Sequence, residues 1–189
     1  LTAMRVHSEM VEEDETRESL VATVEEMQSM VEATLTFAKG LSGNEPMQDV
    51  DLQSFLEALR GDMVVPFVLS DGPEVTVRLR PNAIRRALRN VIENAVRYGG
   101  SATLGWISAE GEIEISVTDR GPGIPTAELE RIFDPFFRLE ESRSLETGGH
   151  GLGLSIARSI LRAQGGEISL ANHPDGGLIA TIRLPVAET

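Results

Sequence analysis

The run Glu112-Ile113-Glu114-Ile115-Ser116-Val117-Thr118 alternates polar and apolar side chains and then breaks on Asp119-Arg120-Gly121-Pro122-Gly123-Ile124. A period of two predicts a strand with Ile113, Ile115 and Val117 on one face, and that face needs a second layer to cover it. The strand ends on a carboxylate, followed by two glycines one residue apart. An acceptor fixed at a strand end, next to backbone without side chains, suits a flat ligand lying close to the main chain. A plain turn accounts for the same residues, so the other segments have to decide.

Bulk properties narrow the options. The 189 residues hold one domain of ordinary size plus a small element, and a hydrophobic content of 41% is enough for a core. The longest apolar run, Met63 to Leu69, is short and interrupted by Pro66, and no signal-peptide pattern is present. Cysteine is absent, which excludes disulfides and thiolate metal sites. The net charge of -13 is uneven: residues 1–49 carry 11 acids against 3 bases, and residues 50–189 carry 19 against 14. Such acidity argues against nucleic acid as a partner. Lys39 is the only lysine and no Gly-Lys-Ser/Thr occurs, so a lysine-dependent phosphate loop is excluded.

Residues 1–39 read as two helices joined by a short acidic turn. The second runs from about Arg17 to Lys39 and stops at Gly40. Leu20, Val24, Met27, Val31, Leu35 and Ala38 form a coiled-coil-like seam with one slip. Helices this amphipathic need a helical partner, either the rest of the chain or a second copy in a four-helix bundle. The turn-rich stretch Gly40-Leu41-Ser42-Gly43-Asn44-Glu45-Pro46 marks a boundary. Beyond it, Leu52, Phe55, Leu56 and Leu59 predict a short helix. Val64 to Leu69 and Val75 to Leu79 predict strands around the turn Ser70-Asp71-Gly72-Pro73.

A longer helix is expected over residues 82–98, with Pro81 near its first turn. Ile84, Leu88, Val91, Ile92 and Ala95 share one face. Asn90, Asn94, Arg97 and Tyr98 cluster on another. Amide oxygens suit a hard cation such as Mg²⁺, a guanidinium pairs with phosphate, and a ring stacks on a base. A solvated helix face is the competing reading. Glu93 lies four residues from both Arg89 and Arg97, the spacing of a salt-bridging residue.

Ser101 to Ile107 is the next expected strand, paired with 112–118 through Ala109-Glu110-Gly111. Thr126 to Ile132 reads as a short helix with Thr126 as N-cap. Phe133-Asp134-Pro135-Phe136-Phe137-Arg138 concentrates three of the six phenylalanines. Between Leu139 and Gly148 there are almost no apolar anchors, the composition of a mobile loop. Gly148-Gly149-His150-Gly151-Leu152-Gly153-Leu154 then opens a helix, with Leu154, Ala157, Ile160 and Leu161 inward and Gly165 as C-cap. Glycine-rich backbone entering a helix presents free N–H groups and a positive dipole end to phosphates. Two strands, Glu167 to Asn172 and Leu178 to Leu184, close the chain around the turn His173-Pro174-Asp175-Gly176-Gly177.

Four of these segments, in order, resemble the catalytic ATP-binding domain of sensor histidine kinases, whose nucleotide fold is shared with gyrase, MutL and the heat-shock chaperone ATPases. Asn90-Val91-Ile92-Glu93-Asn94-Ala95-Val96-Arg97-Tyr98 matches the N box and the Asp119 turn matches the G1 box. Phe133 to Arg138 matches the F box, and Gly149 to Leu154 the G2 box. The match covers about residues 50–186, and the N-terminal hairpin looks like the dimerisation and phosphotransfer helices of the same kinases. The implied fold class is α+β: a two-layer sandwich of mixed sheet on helices (the Bergerat ATP-binding fold) at 46–189, plus a partial helical hairpin at 1–45.

The resemblance implies ATP and Mg²⁺ as cofactors. By it, Asp119 accepts from the adenine amino group, Gly121 and Gly123 let the base approach, and Tyr98 flanks the purine. Asn94, with Asn90, holds the metal; Arg97 and Arg138 contact phosphates; Gly149, Gly151 and Gly153 form the phosphate-facing hinge of a lid over 133–151. Ile124, Phe133, Leu152 and Leu154 belong to the same site. Arg138 and Asn90 are the implied catalytic residues. Asn90 stands where hydrolysing relatives carry a water-activating glutamate, and an amide takes no proton from water, which favours phosphoryl transfer over hydrolysis. Implied partners are a second copy through the N-terminal helices and the receiver aspartate of a response regulator. The implied setting is cytoplasmic, as part of an inner-membrane sensor whose membrane segments lie upstream.

Three positions depart from the family pattern. No phosphoacceptor motif of His-Asp/Glu-x-Arg-x-Pro type occurs: the chain begins Leu1-Thr2-Ala3-Met4-Arg5, and His7 is followed by Ser8-Glu9 with no proline in reach. The expectation is an acceptor histidine upstream, and none in this chain. His150 stands where Thr, Ser or Gln is frequent, and either reaches phosphate or metal or faces solvent. Leu178-Ile179 follows Gly176-Gly177 where many members have Thr. Two other readings stay open: a nucleotide-binding dimerisation module without autokinase activity, and a serine kinase of the anti-sigma-factor kind, against which the long hairpin speaks.

Overall fold

The computed structural model describes residues 45–109, 111–139 and 151–186. The chain divides into two units, Leu1–Lys39 and Gly40–Thr189, and the described residues all belong to the second. The expected hairpin at 1–45 lies outside the described residues, apart from Glu45.

Strand β1 (Gln48–Asp51) leads directly into helix α1 (Leu52–Asp62), where Asp51 accepts the Ser54 N–H at 2.9 Å as N-cap. Strands β2 (Val68–Leu69) and β3 (Thr76–Leu79) precede the long helix α2 (Pro81–Gly99), with Pro81 in its first turn as expected. Strands β4 (Thr103–Ala109) and β5 (Glu112–Thr118) form the predicted hairpin. After two short turns come helix α3 (Gly153–Arg162), β6 (Glu167–Asn172) and β7 (Leu178–Pro185).

Five strands make one mixed sheet in the order β2-β4-β5-β7-β6, with only the β2–β4 pair parallel. Strand β5 sits at its centre. The alternation read from the sequence holds: Ile113, Ile115 and Val117 are buried, and Glu114, Ser116 and Thr118 line the outer face. Beside them on the inner face lie Leu104, Trp106, Ala180, Ile182 and Leu184. Helices α2 and α3 cover that face through Ile84, Leu88, Val91, Ile92, Ala157, Ile160 and Leu161, all buried. Truncating one such leucine to alanine costs about 2–5 kcal/mol through lost contacts and the cavity left behind.

Three expectations are corrected. The strand expected over Val64–Leu69 is only Val68–Leu69, and it does not pair with its neighbour across Ser70–Pro73. Val68 N–H donates to Ala102 and Ser70 N–H to Leu104, so β2 joins β4, while β3 pairs with β1, a strand the sequence pattern does not reveal. Trp106 is the reason: its indole N–H donates to the Pro73 carbonyl at 3.0 Å, and a Cβ on Gly72 would lie 2.4 Å from the ring. The turn is thus spread over the indole instead of closing a hairpin. Residues 126–132 form no α-helix but two 3-10 turns, Thr126–Glu128 and Arg131–Phe133, preceded by Pro125, so Thr126 is not an N-cap. Every backbone bond there spans three residues, as in Glu128 N–H to Pro125 O and Phe133 N–H to Glu130 O. Helix α3 is capped at Ala163, and Gly165 takes its positive φ of 77° two residues later, where the chain turns into β6.

Candidate nucleotide-binding site

Asp119 leaves the end of β5 with only 7% of its surface exposed. Its Oδ1 accepts the Gly121 N–H at 2.8 Å and the Leu178 N–H at 3.2 Å, while its own N–H donates to the Leu178 carbonyl. Leu178 at the start of β7 therefore holds Asp119 twice, once by its backbone and once by its carboxylate. Three glycines make the surrounding space. A Cβ on Gly99 would lie 2.4 Å from the Asp119 Cβ, and one on Gly177 would lie 2.1 Å from the Asp119 carbonyl oxygen. On Gly121 it would meet the Tyr98 carbonyl at 2.8 Å. The Oδ2 of Asp119 accepts from no described residue.

A narrow apolar slot starts at this carboxylate. Val91, Val117, Leu154, Leu178 and Ala180 wall it, with Asn94 and Asp119 as its polar members, and about 10 Å³ is open to water in it. A larger cavity of about 380 Å³ lies on the far side of the glycine turn, between Pro122–Pro125 and the β6–β7 hairpin. The slot and not the larger cavity carries the buried Asp119 carboxylate and the Asn94 amide.

The polar strip of α2 runs past this slot. Asn94 is half-buried on its wall, and Asn90, one turn earlier, packs against the first residue of α3, where a Cβ on Gly153 would lie 3.8 Å from the Asn90 Cβ. The Asn90 side-chain nitrogen is buried without a hydrogen-bond partner. An unmet buried donor costs about 1–3 kcal/mol, and either a ligand or a turned amide satisfies it. Arg97 is exposed and Tyr98 is 37% exposed, and neither lines the slot.

Phe133 is buried beneath the Arg158 guanidinium, 4.5 Å from its ring centre. Arg158 also pairs with Glu130 at 2.6 Å and with Glu167 at 3.1 Å. Burial works against the Arg158 charge, but the hydrogen bonds and charges of Glu130 and Glu167 outweigh it and hold its pKa above the ordinary value. Glu167 titrates below its ordinary range: burial opposes the charged form, while the Ile168 N–H, Arg162 and Arg158 favour it more strongly. Phe136 is the one non-glycine among the described residues with positive φ, 66°, and its N–H donates to the Gly151 carbonyl at 3.0 Å. Gly151 has φ 67°, and a Cβ there would meet the Phe137 carbonyl at 2.7 Å. The two ends of the expected lid thus close on each other. Leu152 is buried at the N-cap of α3, Gly153 opens the helix, and Arg138 is half-buried. Gly149 and His150 lie outside the described residues.

Among the described residues no cluster of three His, Cys, Asp or Glu could hold a metal by itself. The amide oxygens of Asn90 and Asn94 are donors of the kind Mg²⁺ takes together with phosphate oxygens. The structure therefore gathers Asp119, Asn94 and Leu154 into one slot, joins Asn90 to Gly153 and Phe136 to Gly151, and leaves Arg97 and Tyr98 outside.

Residues 79–188, more than half of the chain, match the family described as histidine kinase-, DNA gyrase B-, and HSP90-like ATPase. The chain belongs to this family. Among full-length relatives, the sensor histidine kinase GtrS of Pseudomonas aeruginosa is 34% identical over 191 residues, covering 98% of this chain and 39% of the relative. Sensor protein CutS of Streptomyces coelicolor is 35% identical over 189 residues, covering 93% of this chain and 45% of the relative. The chain thus spans less than half the length of these kinases. The solved ATP binding domain of PrrB from Mycobacterium tuberculosis is 28% identical with a TM-score of 0.61, over 75% of this chain and 98% of that one. Full-length ShkA in complex with AMPPNP shares the fold at 23% identity and a TM-score of 0.69, over 95% of this chain and 40% of that one. The chain accordingly contains the ATP-binding catalytic domain of a histidine kinase, and its described residues form an α+β sandwich as expected. Among the described residues, no helix of this kinase domain is long and apolar enough to cross a membrane.

Three residues that shape the site escaped the sequence reading. Gly99 and Gly177 were legible only as glycines next to turns; their contact partner, Asp119, is distant in sequence. Asn172, whose side chain bonds Ile124 twice, ends a strand and shows no motif.

Proposed function

We propose that this chain is the Mg-ATP-binding catalytic part of a cytoplasmic two-component sensor histidine kinase, transferring the γ-phosphoryl group to a histidine of its own dimer. The relay then runs to an aspartate of a response regulator receiver domain. The observation that carries this reading is the buried Asp119 at the mouth of an apolar slot, one oxygen committed to backbone and the other left for a ligand donor. An adenine amino group is such a donor, and the apolar walls suit the ring faces. The slot holds only about 10 Å³, so on this reading its walls, Leu154 and Leu178 among them, have to move apart for a base to enter.

Beyond the base, Asn94 and Asn90 are the residues that would hold Mg²⁺, which on binding neutralises phosphate charge. Arg97 and Arg138 supply charge to the phosphates, and the glycine-rich entry of α3 supplies N–H groups. Asn90 takes no proton from water, which disfavours hydrolysis, and a facing imidazole needs little activation, so positioning carries the step. The acceptor imidazole belongs to a His-Asp/Glu-x-Arg-x-Pro segment, which these 189 residues do not contain. That same fact favours a second reading for the chain taken alone: a nucleotide-binding dimerisation module without autokinase activity.

One experiment separates the two. The chain is mixed with [γ-³²P]ATP and a helical hairpin carrying the acceptor motif. Acid-labile, alkali-stable label on the hairpin supports the kinase; intact ATP binding without label leaves only the binding module. Unchanged Mg-ATP affinity in both Asp119→Ala and Asn94→Ala would sink the pocket assignment. Scattering at low concentration tests the dimer through residues 1–39.

A further inference from the structure

The glycine turn that follows Asp119 is held at a second point, by a side chain from the other edge of the fold. Asn172, the last residue of β6, accepts the Ile124 N–H on its Oδ1 at 2.8 Å and donates from its Nδ2 to the Ile124 carbonyl, also at 2.8 Å. One amide side chain thereby satisfies both backbone groups of one residue, as a neighbouring strand would. The approach needs a residue without a side chain beside it: a Cβ on Gly123, φ 77°, would lie 2.6 Å from the Asn172 Oδ1. Gly177, at the other end of the same hairpin, packs under the Asp119 carbonyl. The hairpin therefore grips the turn at both ends. Between the grips lies the cavity of about 380 Å³, lined by Pro122, Pro125 and His173 among others, which leaves the middle of the turn without packed support.

We propose that Asn172 is a positioning residue for the nucleotide: its two bonds to Ile124 hold the turn Gly121–Ile124 at the height where the base meets it. This rests on the nucleotide reading above. Asn172 is paired with Leu178 in the sheet but does not line the slot; it lines the larger cavity, and its amide is committed to Ile124. Without it, Ile124 has no described side-chain partner across the cavity, and the turn is anchored at Asp119 alone. Asparagine is suited to this bridge because its amide carries donor and acceptor on one short stem. Aspartate keeps the acceptor but sets an oxygen against the Ile124 carbonyl.

The test uses the full chain and Mg-ATP, with affinity measured by calorimetry and unfolding followed in parallel. Asn172→Ala is expected to weaken Mg-ATP by roughly five- to tenfold, the worth of one or two hydrogen bonds. Its melting temperature should stay within about 3 °C of the unsubstituted chain, because the residue is exposed. Faster hydrogen exchange at the Ile124 amide without nucleotide would show the loosened turn directly. Asn172→Asp should bind no better than Asn172→Ala, and wild-type affinity in Asn172→Asp would overturn the two-bond bridge. Undiminished binding by Asn172→Ala, or a melting loss with affinity unchanged, would overturn the positioning role alone. If the unsubstituted chain binds no Mg-ATP, the nucleotide reading falls and takes this one with it.

Discussion

The backbone donors at the start of helix α2 are met, whereas polar side chains further along it, the buried Arg86 Nη2 among them, are not all met. Pro81 has none to offer; Asn82 N–H and Ala83 N–H go to the two carboxylate oxygens of Glu45, at 2.8 and 3.0 Å, and Ile84 N–H goes to the Arg80 carbonyl. Arg80 in turn bonds the Glu45 carbonyl, the Ala163 carbonyl and Gln164. Two turns further on, the Asn90 side-chain nitrogen is buried and unmet, Asn94 lines an open slot, and the nearby Asp119 keeps an oxygen in reserve. A carboxylate at a helix N-terminus serves stability. Unmet polar groups in a crevice cost stability, and on the nucleotide reading a ligand completes those beside the slot.

The sharpest way to break this comparison is at Asp119. Asp119→Asn keeps an acceptor for Gly121 and Leu178 but turns the free oxygen into a donor facing the adenine amino group. Mg-ATP affinity should fall roughly 30- to 100-fold, the penalty for donor against donor in a dry site. Calorimetry reads it, and a loss below threefold would remove Asp119 from the base-recognition role.

Glu45→Ala should do the reverse. It strips the cap from Asn82 and Ala83 and costs about 1–2 kcal/mol, a drop of about 2–8 °C in melting temperature. Mg-ATP affinity should stay within about twofold. A large affinity loss would mean that the start of α2 and the residues further along it are coupled and not separate.

Asn90→Leu sharpens the contrast within one residue. Removing an unmet buried amide should raise stability by about 1 kcal/mol, seen as a higher denaturation midpoint, while Mg-dependent ATP affinity drops. Lower stability together with unchanged affinity would make Asn90 an ordinary packing residue.

How much of this was legible follows the same division. The centre of the sheet was readable because alternation in 112–118 and helical spacing in 82–98 are local consequences of a single buried face. The N, G1, F and G2 segments were readable as a set because four short patterns in order point to one family, and that family is the one residues 79–188 match. What stayed hidden depends on contacts distant in sequence. Strand β1 has no apolar alternation, since its pairing with β3 leaves most of it exposed. The Glu45 cap joins residues 37 positions apart, and the Asn172 bridge joins residues 48 apart. No local pattern announces either.

The Arg158 cluster beside Phe133, where the expected lid begins, offers a smaller test, through pH. Glu167 is more acidic folded than unfolded, so its contribution to stability is complete above the ordinary carboxylate value of 4.5. It is lost as pH falls from there through the lowered folded value. Glu167→Gln should therefore flatten the acid limb of the stability curve and leave stability at pH 8 slightly reduced. The pair is partly solvated, so the change is modest. An unchanged acid limb would show that the Arg158 cluster does not hold the stem before the lid.

Leu178 gives the smallest expected effect on binding and the most direct test of the slot. It is buried on the slot wall, and its backbone, not its side chain, holds Asp119. Leu178→Thr, the residue frequent in the family at this point, removes apolar wall and adds a hydroxyl beside the carboxylate. The lost packing costs about 1–2 kcal/mol of stability. The shorter side chain widens a slot that is narrow for a base, and the hydroxyl gives Asp119 a new donor that competes with the ligand. These effects on binding oppose each other, so Mg-ATP affinity should move by less than about threefold. A tenfold gain would mean that the leucine side chain gates entry of the base. A tenfold loss would mean that it is a main contact of the base, and that the unpaired oxygen of Asp119 matters less than its burial suggests.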